Sequence, residues 1–176
     1  MDNVENKGAN KKLKGCLAAV AIAAVLVIAG IVFLAYSFGK AWKTEYTSFD
    51  ADKLAYAEST LGCDIPDSVT PVRYLRDVGA GDAQMEFWVE DISDPSEYMK
   101  SAYADTEYTE HGGLDEISGT VNTELLKYGR ENAEPAAVYT CTFPRPEDSS
   151  RYIRSCALAF YKDGSCYKMK QVAVYA

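Results

Sequence analysis

YIRSCALAFYKDGSCYKMKQ, residues 152–171, decides the fold. Two segments of strand-like composition flank Asp163-Gly164, a strong two-residue hairpin signal. With that turn Phe160 faces Tyr167, Leu158 faces Met169 and Cys156 faces Gln171. The opposite face pairs Ala159 with Lys168 and Ala157 with Lys170. One face is therefore core-like and the other small and polar. A one-residue slip would turn Lys168 and Lys170 in among the apolar side chains, so the two-residue turn is preferred.

The signals continue toward the amino terminus. Residues 136–143 (AAVYTCTF) read as a strand that returns through the loop 144–150 to pair with residues 152–162. That hairpin sets Cys141 opposite Cys156, near the separation a disulfide needs. Residues 72–78 and 83–90 form another hairpin around Gly79-Ala80-Gly81-Asp82. In its second strand Met85, Phe87 and Val89 share one side, while Trp88 interrupts the polar side. Asp94-Pro95-Ser96-Glu97 opens a helix running to about Tyr103, with Asp94 as cap and Pro95 in the first turn. Ser48 or Asp50 caps an earlier helix that ends at Leu61-Gly62. Residues 105–120 read as an acidic loop, and a short helix follows at 123–128. Connections this short favour antiparallel pairing. The expected class is α+β, an antiparallel sheet of about five strands with two or three helices on one face.

Residues 16–38 (CLAAVAIAAVLVIAGIVFLAYSF) carry no charge. As a helix they would span roughly 34 Å, enough for a hydrocarbon core of roughly 30 Å. The run is longer than the apolar part of a secretory leader. The expected organisation is a cytoplasmic basic tail (1–15), a transmembrane helix (16–38), a linker (39–48) and one extracytoplasmic domain (49–176). Lys7, Lys11, Lys12 and Lys14 precede the helix and favour a cytoplasmic amino terminus. From residue 40 on there are 14 Lys+Arg and 24 Asp+Glu, about −10 by difference. That field excludes nucleic acid as a partner. The lipid bilayer is the one expected partner of residues 16–38.

Cys63, Cys141, Cys156 and Cys166 are disulfide candidates, with three connectivities open. Cys141–Cys156 is favoured by register, and Cys63–Cys166 follows by elimination. There is no CxxC spacing and only one histidine, so no metal is expected. No nucleophile elbow, phosphate loop or zinc-protease helix occurs, and no catalytic residue or cofactor is expected. His111 lies in a Gly-rich loop among acids and reads as exposed. Tyr74, Trp88, Tyr98, Tyr103 and Tyr108 could build a surface for a peptide or glycan, with Trp88, Tyr98 and Tyr103 as its centre.

The expected function is a membrane-anchored envelope protein acting as a binding or interaction module. One alternative is an accessory subunit that assembles through its Ala-rich helix. Another is a hydrolase using acids of the 105–116 loop. The basic leader, Gly15, apolar helix and distal β domain with cysteines loosely resemble type IV pilins, which would imply filament assembly. That family carries glutamate at the fifth position after the glycine, and here the residue is Val20.

Overall fold

The computed structural model describes residues 20, 22–37, 42–79, 82–119, 121–126, 134–145 and 152–175. The chain divides into two compact units, residues 1–41 and 42–176. The basic tail 1–15, including Gly15, and Cys16 lie outside the described residues.

In the first unit residues 22–37 form helix α1. Its side chains are exposed all round, Phe33 at 69% and Leu26 at 67%. These residues span about 24 Å at ~1.5 Å per residue. Among the described residues no helix is long and apolar enough to cross a membrane.

The second unit is built on a seven-stranded antiparallel sheet. Its strands are β1 (Lys43–Tyr46), β2 (Thr70–Val78), β3 (Ala83–Ile92), β4 (Glu107–His111), β5 (Ala137–Thr142), β6 (Ile153–Asp163) and β7 (Cys166–Tyr175), in the order β1-β2-β3-β7-β6-β5-β4. Helices α2 (Ala51–Leu61) and α3 (Pro95–Ala102) pack on one face. There Leu61, Met99 and Ala102 meet Tyr74, Phe87, Leu158 and Phe160 in the larger core. A 3-10 turn (Leu114–Glu116) and helix α4 (residues 121–126) cover part of the other face. Leu114, Ile117, Val121 and Leu125 pack there on Val138, Ala157, Ala159 and Val172. The small Ala157 and Ala159 on central β6 give this second layer room to approach.

Local chemistry sets the helix ends. The Asp50 carboxylate accepts the Lys53 N–H at 2.9 Å. Gly62 closes α2 in the left-handed region at φ 65° and donates its N–H to the Glu58 carbonyl at 2.9 Å. A Cβ at Gly62 would fall 2.7 Å from the Phe143 ring, so glycine is required by both backbone and space. Asp94 Oδ1 accepts from Ser96 N at 2.8 Å and Glu97 N at 3.0 Å. The backbone hydrogen bond from Glu97, first among its contacts, holds the Asp94 carboxyl below the usual range.

Three expectations change. Lys43–Tyr46 is an edge strand rather than linker, and the compact unit begins at Trp42. Glu107–His111 is a strand within the expected loop. Both are short edges that need only one partner's backbone, and β4 is exposed from Glu107 to Glu110, so neither carries a hydrophobic period. The sheet thus has seven strands instead of five, and helices lie on both faces.

The last hairpin turns at Gly164-Ser165, with Asp163 opposite Cys166. Phe160 faces Met169, Leu158 faces Gln171 and Cys156 faces Ala173, each two residues beyond the expected partner. Gly164 takes φ +64° at the first central position while Ser165 does not go positive, the pattern of a type II′ turn. A shift of two keeps every side chain on its face, so the core composition is unchanged.

Candidate functional site

The second face of the sheet is covered only in part. Cross-strand register arranges it in rows. One row runs Arg73 (β2), Trp88 (β3), Lys170 (β7), Ala159 (β6), Val138 (β5) and His111 (β4). The next runs Glu45, Leu75, Glu86, Val172, Ala157, Thr140 and Thr109 from β1 to β4. The alanine and valine end of both rows lies under α4 and the 3-10 turn. The charged end on β1, β2 and β3 forms an open face around half-buried Trp88.

Trp88 is flanked by cations from both neighbouring strands. Arg73 Cζ lies 4.8 Å and Lys170 Nζ 5.0 Å from its ring centroid. Each cation has an acid partner. Arg73 Nη2 meets Glu45 Oε1 at 2.7 Å, and Lys170 Nζ meets Glu86 Oε2 at 2.8 Å. Lys170 is 5% exposed and also donates to the Glu124 carbonyl of α4 at 3.4 Å. It therefore ties the covering layer to the open face. Lys168 bridges Glu90 at 3.3 Å and Asp163 at 2.9 Å. These acids raise the Lys168 pKa, the hydrogen bond to Asp163 foremost.

Beside this platform is a groove of about 310 Å³ lined by Leu75, Asp77, Asp82, Gln84, Glu86 and Val174. Among the described residues all its ionisable groups are acids. Glu86 is held by Lys170, and Gln84 Nε2 donates to Glu86 Oε1 at 3.2 Å. Asp77 and Asp82 make no ion pair among the described residues. Asp77 lies near the end of β2 and Asp82 just before β3.

The expected aromatic surface is not assembled. Tyr98 and Tyr103 are 4% and 1% exposed in the core under α2 and α3, on the opposite face from Trp88. They anchor α3 and the turn after it to the sheet, because helix amphipathicity points them inward. The Tyr98 ring meets Phe160 edge-on at 5.8 Å. Burial pushes both phenols well above their ordinary pKa. Tyr74 is also buried and shares a 2.9 Å hydrogen bond with Thr60 Oγ1. Of that aromatic set, Trp88 and Tyr108 keep access to solvent.

Among the described residues Cys63, Cys141, Cys156 and Cys166 are free thiols. Cys141 and Cys156 stand directly opposite on β5 and β6. Cys63 lies close to Tyr103 and Cys156, and burial pushes its thiol up to about 12. Cys166 sits half-exposed at the hairpin end, its Sγ 3.9 Å from Ser165 Oγ. The neighbour Cys63 finds is thus Cys156, not the Cys166 reached by elimination.

His111 is a joint rather than a bare loop residue. Its Nε2 shares a 2.8 Å hydrogen bond with Thr140 Oγ1, and its Nδ1 lies 3.7 Å from Glu116 Oε2. The same Glu116 oxygen accepts the Gly112 N–H at 3.0 Å. Among the described residues no group of three His, Cys, Asp or Glu side chains is arranged to hold a metal.

Reading the sequence did not reveal the Arg73–Trp88–Lys170 row or the acidic groove. The row depends on pairing among three strands, only two of which are joined by a short turn. Lys168 and Lys170 alternating with apolar residues were the available trace. Compared with family models, curated proteins and solved structures, the chain matches none of them.

Proposed function

We propose that this chain is a single-pass, membrane-tethered envelope protein whose residues 42–176 bind a basic segment of an envelope partner. One observation carries the tether: α1 exposes an apolar side-chain surface around its whole circumference. Water does not tolerate a continuous apolar cylinder of that kind, and lipid does. The uncharged run continues beyond α1 to residues 16 and 38, long enough for a bilayer core. Lysines before the run keep the amino terminus in the cytoplasm and put the larger unit outside.

Full-length protein in membranes then resists alkaline carbonate extraction, while residues 42–176 expressed alone stay in solution without detergent. Protease added to intact cells removes the carboxy-terminal unit. Release of the full chain by carbonate, or full protection from external protease, sinks the tether.

Charge complementarity selects the partner. The groove beside Trp88 contains only acids among its described ionisable residues, on a domain of strongly negative charge. Cations already lie over the Trp88 ring from both sides, which disfavours a sugar stacked on it. A lysine-rich peptide is a direct probe. The full chain in detergent binds oligolysine, and the double variant Asp77→Asn/Asp82→Asn weakens that binding roughly tenfold. Raising salt weakens both. Equal affinity for variant and native chain would show that the peptide meets general negative charge and not this groove.

A further inference from the structure

Three of the four described cysteines, Cys63, Cys141 and Cys156, enter one core cluster beneath α2 and α3. Cys141 and Cys156 are a register pair, so the sheet itself fixes the separation of their backbones. Directly opposite residues hold their Cβ atoms about 4.5–5.5 Å apart, within a small adjustment of disulfide geometry. Both side chains enter the same interior cluster, and Cys141 is the first cause of the raised Cys156 thiol pKa. Cys63 follows the Gly62 cap of α2 on a turn, with the Tyr103 phenol near its thiol.

Gln171 is fully buried on β7, and its Nε2 donates to Cys156 Sγ at 3.3 Å. A thiol sulfur and a disulfide sulfur both accept such a hydrogen, so this contact holds Cys156 in place before and after the bridge closes.

We propose that Cys141 and Cys156 form a disulfide that staples β5 to β6, and that Cys63 stays a thiol beside it. The oxidant is a disulfide of the thiol-exchange class. One cysteine thiolate attacks a sulfur of that oxidant, forming a mixed disulfide and expelling one thiolate. The second cysteine then attacks the protein sulfur of the mixed disulfide. The Cys141–Cys156 bond forms and the second oxidant thiolate leaves. Two electrons pass to the oxidant, and the two cysteine protons end on its released thiols.

Burial sets the timing. The thiolate is the nucleophile, and Cys156 is held firmly in the thiol form by its contact with Cys141 and by burial. Exchange in the folded unit is therefore slow. The bridge closes as β5 and β6 pair, before α2 and α3 seal that face.

The proposal concerns the sheet and not the tether, so it is tested in detergent without a membrane. Full-length chain is reduced, unfolded, and refolded in mixed reduced and oxidised glutathione. Free thiols are alkylated under denaturing conditions, and linked peptides are identified by mass spectrometry. The expected product is one cross-link, Cys141–Cys156, with Cys16, Cys63 and Cys166 alkylated. Cys63→Ala leaves that cross-link intact, and Cys141→Ala abolishes it. The same glutathione added after reductive refolding forms it at least roughly tenfold more slowly. Closing this loop raises Tm by roughly 10 °C relative to the reduced chain. A Cys63–Cys156 cross-link, or refolding to the native state with all five thiols alkylated, overturns the proposal.

Discussion

Phe160→Ala lowers the unfolding free energy of the compact unit by about 4 kcal/mol in urea titration, with the m-value unchanged. Phe160 is fully buried at the centre of the sheet, opposite Met169 on β7 and Ala137 on β5. Its ring meets Tyr98 of α3 at 5.8 Å and Tyr139 of β5 at 5.7 Å, both edge-on. Truncation removes the transfer free energy of the ring and both aromatic contacts, and leaves a cavity among strands that cannot collapse. Tyr98→Phe separates packing from polarity at the same spot. The Tyr98 hydroxyl is buried without a hydrogen-bond partner among the described residues, so deleting it is neutral or slightly stabilising. A Phe160→Ala cost under about 1 kcal/mol would mean that this is not the centre of the core.

That centre was legible in the sequence because Cys156, Leu158 and Phe160 share a period of two. Even a turn misplaced onto Asp163-Gly164 left each of them on the correct face. The caps at Asp50 and Asp94 were legible for a related reason: their carboxylates act within three residues. The edge strands were not. Glu107–His111 contains two acids and is exposed over its first four residues, and it is a strand because β5 offers a free edge. No local signal records that offer. Trp88, Tyr98 and Tyr103 looked alike as aromatics, yet two are core and one is surface. What separates them is which face of the sheet each element meets, a tertiary property. The acidic groove needs the end of β2, the start of β3 and the end of β7 together, and only the first two are neighbours in sequence.

Glu86→Gln is expected to cost about 3 kcal/mol, and the reason lies in its partner. The Glu86 and Lys170 side chains are 13% and 6% exposed, and Nζ lies 2.8 Å from Oε2. Neutralising the acid removes the carboxylate at 2.8 Å from a cation in a place water barely reaches, where breaking a buried pair costs several kcal/mol. Trp88 at 5.0 Å and the Glu124 carbonyl at 3.4 Å remain, which keeps the loss at the low end of that range. The double variant Glu86→Leu/Lys170→Met removes both charges and keeps the volume. It recovers stability to within about 1 kcal/mol of the native chain, since a buried pair contributes little beyond its apolar equivalent. Arg73–Glu45, with both side chains 39% exposed, is the contrasting case. Its loss costs under about 1 kcal/mol and fades as salt is raised, whereas the Glu86→Gln deficit persists. Urea titration of the single and double variants at low and high salt reads all of these. If Glu86→Gln unfolds at the native midpoint, Lys170 does not depend on this carboxylate, and the covering layer and the open face are not joined through it.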